Sequence, residues 1–389
     1  MHVSGNFTDD FPKKGQIVKD LKFFEKELNG VLPFEIVLTY KDTIYKSFSN
    51  IAKIQKLQES LKSEKYLSKS LSIVDAMKFI SQSYSNGKKS KYDLNFSKSK
   101  DQKYFSRIIK SKYFKNSLIN SKTDNSNGFV GSFLDSTHLT TRITLQIADI
   151  GTAAMDSLIE RINYRIDSII NPEQLLYHKA VKEGKVDKFY SSNQIVRYRV
   201  KQILTNGDLA LNNEFPKRNS AIEKLYGKQQ FSEAVKQSVG SLKVKSDITG
   251  SGVLFTKGTT YMVKNLMISL LLAIMVIAII MALLFKSLKM VLVSLLPNLL
   301  PLIFTSALMG YFGISIKPST ILVFSIAFGI SIDDTIHFLA KYRQELKSKT
   351  ISDAVEISIK ETGVSMIYTS IILFFGFSIF TASEFGGTQ

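Results

Sequence analysis

The sequence has no cysteine. Disulfides, thiolate nucleophiles and cysteine-based metal sites are therefore excluded. Histidine is scarce too: His138 and His178 lie far apart without ligand-spaced partners, read as ordinary polar residues, and leave no metal site to expect. The residues after Met1, HVSGNFTDDFPKKGQ, lack the apolar stretch of a signal peptide. Nothing before residue 265 is long and apolar enough to cross a bilayer. Acidic residues are outnumbered by basic ones, 33 to 51, for a net charge of +18. Residues 265–389 hold eight Lys/Arg and seven Asp/Glu, so the first 264 carry +17 of that charge. A polar, basic block thus precedes an oily one. The 389 residues allow more than one folding unit, and both ends look cut, as in a piece of a longer polytopic protein.

In the polar block, 33–41 (PFEIVLTYK) alternates in part and predicts a strand. Helical spacing of Ile51, Ile54, Leu57 and Leu61 predicts a helix over 49–64. A short strand is expected at Ser70–Val74 and a helix over Val74–Tyr84. Thr140–Asp149 alternates strongly and predicts a strand, followed by a helix from Ala153 to Ile170 that Asn171–Pro172 ends. Val244–Phe255 reads as a last strand. This order fits a split βαβ, ferredoxin-like sandwich, interrupted by helical, polar insertions at roughly 75–135 and 171–242. Residues 87–122 are dense in lysine and interleaved with Tyr92, Phe96, Tyr104, Phe105, Tyr113 and Phe114. Single-stranded nucleic acid and anionic headgroups both suit such a run, but a solvated lysine face over a small local core explains it more simply, and no nucleic-acid partner is expected.

The oily block offers four spans at about 266–285, 290–311, 319–340 and 365–381, each near the length a bilayer core demands. The predicted division is a polar α+β domain over 1–263 and a membrane domain over 264–389. Lys286 and Lys289 flank the first turn, and Lys341, Arg343, Lys347, Lys349 and Lys360 populate the third. The positive-inside rule puts both turns in the cytoplasm and the basic block outside it. Thr350–Asp353 resembles a capping box opening a helix to about Glu361, which suits either the inner membrane surface or a solvated connector.

The third span, STILVFSIAFGISIDDTIHFLA, carries Asp333, Asp334 and His337. An Asp near the centre of a membrane helix costs about 2.5–3.5 kcal/mol, and such groups usually mark an ion path. Ser325, Gly329, Asp333 and His337 recur every four residues and form one stripe. The small residues Ser325 and Gly329 would let a neighbouring helix approach closely. Both carboxylates are spaced to reach the His337 imidazole. Two adjacent carboxylates in low dielectric cannot both ionise cheaply. Asn298, Thr369 and Ser370 fall at similar depth on neighbouring helices and are expected to support the acidic pair. Pro297 and Pro301 flank Asn298 and would loosen its helix. No Lys or Arg lies within the four spans.

GISIDDTIHFLAKYRQE resembles the fourth-helix signature of the resistance–nodulation–division superfamily, in its MMPL-like, hydrophobe/amphiphile exporter branch. LPFEIVLTYKD, LFKSLKMVLVSLLPNLLPL, KPSTILVFSIAFGIS and KETGVSMIYTSIILFFGFSIFTASEFGGT match it as well. The resemblance implies a four-helix membrane bundle joined to an extracytoplasmic, ferredoxin-like porter domain. It implies that this chain is one of two repeats, lacking its first and last helices, in a bacterial inner membrane. It implies that Asp333 and Asp334 relay protons, with His337 beside them, and that the porter domain passes amphiphilic cargo. The coupling ion would be the proton, with no other cofactor. Membrane lipids, hydrophobic or amphiphilic cargo and the second repeat are the implied partners, with a homo-oligomer and a periplasmic adaptor as further candidates. The family's acidic pair commonly meets a Lys or Tyr from the other repeat, which this chain does not supply. The expected function is proton-driven export, not enzymatic catalysis. A non-transporting lipid- or sterol-sensing or assembly protein is the alternative. An intramembrane aspartyl protease fits poorly, because both Asp lie on one helix, and Ile330 and Ile332 stand where that chemistry wants glycines.

Overall fold

The computed structural model describes residues 5–6, 8, 11–12, 14–94, 99–119, 130–206, 215–216, 219–314 and 316–382. They form two compact units, one of Leu32–Ile147 with Ser157–Gly250, the other of Met1–Val31, Ala148–Asp156 and Ser251–Gln389.

The first unit is built on a three-stranded antiparallel sheet in the order β2-β1-β3. Its strands are β1 (Leu32–Thr39), β2 (Thr140–Ile147) and β3 (Lys245–Thr249). Register runs from Leu32 opposite Ile147 to Thr39 opposite Thr140, and from Glu35 opposite Thr249 to Thr39 opposite Lys245. The alternation seen in the sequence is realised: Phe34, Ile36 and Leu38 on β1 and Ile143, Leu145 and Ile147 on β2 all point into the core. Because side chains alternate, one face of the sheet is buried and the other presents Glu35 and Arg142, paired at 3.4 Å. Against the buried face lie α2 (Phe48–Leu61) and α3 (Ile73–Tyr84), whose Ile51, Ile54, Leu57, Ile73 and Met77 are fully buried.

Two expected strands are shorter than their sequence pattern. Ser70–Val74 makes only isolated bridges, Leu71 to Thr144 and, just ahead of it, Leu67 to Ile147. The reason is a capping box: Ser72 Oγ accepts from the Val74 N–H at 3.0 Å while Asp75 Oδ2 accepts from the Ser72 N–H at 3.0 Å. That starts α3 at Ile73 and ends extended structure. Likewise β3 stops at Thr249, and Ser251 already opens a helix, so Val253–Phe255 is helical rather than extended.

Over their described residues both insertions are mainly helical. Phe105 and Phe114 from the lysine-rich run turn inward, and the Tyr104 hydroxyl lies 3.0 Å from Ser81 Oγ and 3.1 Å from Ser85 Oγ. Tyr92 and Tyr113 remain exposed, and Phe96 lies outside the described residues. The second insertion has its own core, with Tyr190 packed edge-on to Phe231 and Val196, Val200 and Val235 around them. Asn171 brackets this insertion by donating to the Val244 carbonyl at 3.0 Å and accepting from its N–H at 2.9 Å.

The second unit contains α1 (Gln16–Leu28), which the sequence reading passed over, and four helices of membrane-spanning length and composition. They are α12 (Ser251–Phe285), α13 (Leu288–Tyr311), α14 (Pro318–Glu345) and the rod α15 (Ile351–Ser358) to α16 (Val364–Ser378), numbered after the eleven α-helices that precede them among the described residues. α15 and α16 are joined by a π turn at Ile359–Gly363, so the expected surface helix and fourth span are continuous. Only 11%, 17%, 17% and 0% of their most apolar windows is buried in protein, which leaves the rest for lipid. Pro297 and Pro301 lie inside α13 without ending it.

Gly250 joins β3 to α12 at φ +112°, and an added Cβ would sit 2.3 Å from the Pro33 carbonyl oxygen. Gly250→Ala is expected to lower the melting temperature in detergent, because the backbone conformation alone would cost about 1–3 kcal/mol. An unchanged melting curve would show that neither the positive φ nor the Pro33 carbonyl constrains this position.

Candidate functional site in the membrane helices

α14 carries Ser331, Asp333, Asp334, Thr335 and His337 within two turns. Its rotation is fixed from α13. Asn298, 5% exposed, donates to Thr335 Oγ1 at 2.9 Å and to the Ser294 carbonyl at 2.6 Å. Its Oδ1 accepts from Thr335 Oγ1 at 3.2 Å and from Ser331 Oγ. Each polar atom of the buried amide is thus used, as a low-dielectric site requires. The expectation for Asn298 was support of the acidic pair; its direct partners are these two hydroxyls. Ser331 and Thr335 were not singled out from the sequence, although their four-residue spacing at the depth of Asn298 is the signal that finds them.

With Ser331 and Thr335 turned to α13, the stripe of Asp333 and His337 lies about 160° round the helix. There Asp333 Oδ1 approaches His337 Nε2 at 3.6 Å, with both side chains largely exposed. Ser325 and Gly329 continue the same stripe. Ser325 Oγ donates to its own helix at Ile321 O, 2.9 Å away, and a Cβ at Gly329 would meet nothing within 4 Å. Among the described residues, no neighbouring helix occupies the space beside Gly329, while Ser325 is half-buried.

Asp334 points elsewhere. It lines a cavity of about 380 Å³ with Met366, Ile367, Ser370, Ile371, Phe374 and Phe375 of α16. The wall is apolar except for Asp334 and the Ser370 hydroxyl. Both carboxylates were expected at the imidazole; the ion-pair contact is made by Asp333, while Asp334 faces this cleft. Thr369 bonds to its own helix, donating toward the Ser365 and Met366 carbonyls at 3.2 and 2.9 Å, and does not line the cavity.

At its Glu345 end, α14 is tied down by charge. Lys341 Nζ lies 2.9 Å from Glu345 and 2.5 Å from Glu361 in the π turn, and Lys349 lies 2.7 Å from Glu345. Arg343 donates to the Leu284 carbonyl at 2.8 Å and sits 5.8 Å from the Phe285 ring. Among the described residues no group of three His, Asp or Glu side chains converges to hold a metal ion.

An acidic pair inside a membrane helix, one member in an apolar cleft, marks a candidate functional site. Residues 220–388 match the sequence model of the MMPL family. Over this segment the chain is similar to the MMPL family. The match and the four apolar helices identify a multi-pass membrane protein of transporter type. Comparison with curated proteins finds no match. The acidic pair, the Asn298 clamp and the cleft all lie within the matched residues.

Asn298→Leu keeps approximate volume but removes the amide from Ser331 and Thr335. Interhelical hydrogen bonds in membranes average about 0.6 kcal/mol and reach about 1.7 kcal/mol. Two such contacts predict a loss of about 1–2 kcal/mol in unfolding from detergent micelles. Wild-type stability would mean that both hydroxyls are satisfied by their own helix.

Proposed function

We propose that this chain is part of a proton-motive-force-driven exporter of lipids or other hydrophobic or amphiphilic molecules in a bacterial inner membrane. The observation that carries this reading is the position of Asp334, a titratable group in an apolar cleft between two membrane helices. When Asp334 takes a proton, the cleft loses its charge and α16 can pack against α14. When the proton leaves, the carboxylate requires water or a cation, and the cleft must open. Asp333, paired with His337 and about 100° round α14 from Asp334, supplies the second proton station. Asn298 positions both through Ser331 and Thr335. Protons are the coupling ion; bond-making chemistry is not part of this reading.

The sheet unit is proposed as the extracytoplasmic porter domain. The bridges from Leu67 and Leu71 to β2 extend the sheet to the order bridged segment-β2-β1-β3, which supports a ferredoxin-like reading. The basic first and third turns of the membrane helices support a cytoplasmic position for those turns.

The test is proton flux in liposomes holding the full-length protein, read from entrapped pyranine with fluorescent phosphatidylethanolamine as the lipid probe. Asp333→Asn and Asp334→Asn are each expected to abolish proton-coupled lipid movement while leaving membrane insertion unchanged. Lipid movement undiminished in both variants would overturn proton coupling. Lipid binding without any proton flux, in wild type as in the variants, would favour a non-transporting lipid sensor on the same scaffold.

A further inference from the structure

α1 has an apolar ridge that the described residues leave largely uncovered, with Leu21 half-buried. Ile17, Leu21, Phe24 and Leu28 fall within an arc of about 60° at helical spacing. Ile17, Phe24 and Leu28 are 59%, 48% and 52% exposed. The side adjoining this ridge is fixed to protein: Val18 is buried, and Glu25 Oε1 accepts from the Asp149 N–H at 2.9 Å. Such an apolar ridge on a helix needs an occupant.

The helix lies in the same compact unit as all four membrane helices. Its approach segment holds it there. Thr8 donates from N–H and Oγ1 to Asp149 Oδ2 at 2.9 and 2.8 Å, and Gly5 donates to Thr152 Oγ1 at 3.1 Å. Gly5 also lies against α12, since a Cβ there would touch Thr259 Cγ2 at 3.6 Å. Thr259 precedes Leu266, where the long apolar run of α12 begins, by about 10 Å along the helix. Between them Tyr261 and Met262 are exposed, so the apolar surface of α12 reaches toward this level. The headgroup layer adds about 5–8 Å beyond the hydrocarbon on each side, so Thr259 stands a few ångströms above it.

We propose that α1 is an interfacial helix, lying on the bilayer with Ile17, Leu21, Phe24 and Leu28 in the headgroup–acyl boundary at the face where α12 enters. Its occupant is lipid, and the contact is hydrophobic rather than electrostatic. Within α1 Lys19, Lys22 and Lys26 are balanced by Asp20, Glu25 and Glu27, so anionic lipid gains no net attraction. The lysines lie on the side of the helix away from the ridge, where water would bathe them.

The cysteine-free sequence makes the test direct. Single Ile17→Cys, Phe24→Cys and Leu28→Cys variants of the full chain carry a nitroxide label in reconstituted vesicles, with Lys19→Cys, Lys22→Cys and Lys26→Cys as the opposite face. All six positions are exposed, so labels there leave the fold intact. Power saturation with oxygen and with a nickel chelate should place the three ridge labels about 5–10 Å below the headgroups and the three lysine-face labels in water. The depth should be the same in phosphatidylcholine alone and with added phosphatidylglycerol. Ridge labels open to the nickel chelate would overturn the proposal. So would ridge labels shielded from both reagents, which would mean a protein partner, and insertion that requires phosphatidylglycerol.

Discussion

Polar side chains inside hydrocarbon must find partners within the protein, because an unsatisfied group there costs several kcal/mol. α14 brings five into its central turns, and one residue of a neighbouring helix, Asn298, answers two of them. That contact is the constraint from which the rest of the site follows. Once Ser331 and Thr335 are held against α13, the helix has no remaining freedom to rotate. Asp333 and His337 are carried to the far side, and Asp334 is carried to the cleft beside α16. Two carboxylates adjacent in sequence thereby acquire different surroundings. One has an imidazole within 3.6 Å; the other has an apolar wall and a single serine hydroxyl.

The same economy governs the ends of the helices. Lys341 is shared between Glu345 on its own helix and Glu361 in the π turn. Surface ion pairs contribute little singly, but here the carboxylate of Glu345 also takes Lys349, so three chain segments meet in one network. Arg343 adds a backbone contact to the end of α12. The wall of the cleft that carries Ser370 is thus anchored to α14 through its π turn, one end only.

Much of this was legible in the sequence. Long apolar runs marked the four spans, although α12 begins well ahead of its run at Ser251 and the fourth rod at Ile351, and alternation marked β1 and β2, because burial on one face dictates period two. Asp333, Asp334 and His337 stood out because charge in such a run is costly, and Asn298 because its depth matched. What escaped notice was short-range and neutral. Ser331 and Thr335 look like ordinary helix residues until an amide is placed opposite them. The Ser72–Asp75 capping box overrode a β-like stretch, and Gly250 ended β3 where the apolar pattern alone ran on into α12. α1 was missed although Ile17, Leu21, Phe24 and Leu28 repeat helically, since its lysines and acids dilute the apolar signal. The different destinations of the two carboxylates could not be read from spacing, which allows both to reach one histidine; the Asn298 clamp decides between them.

The cleft itself follows from an imbalance of contacts. α13 is bound to α14 through a buried amide, and α12 packs Met281 and Phe285 against Val291 and Leu339. α16, by contrast, buries no residue in the protein. Elements with few buried contacts open at the lowest free energy. The wall facing Asp334 is therefore the one most easily displaced, while the wall that carries Asp334 is the one most firmly held. A proton on or off that carboxylate changes the cost of closing the cleft without disturbing the α13–α14 pair, so the charge sits at the seam where the membrane unit is weakest.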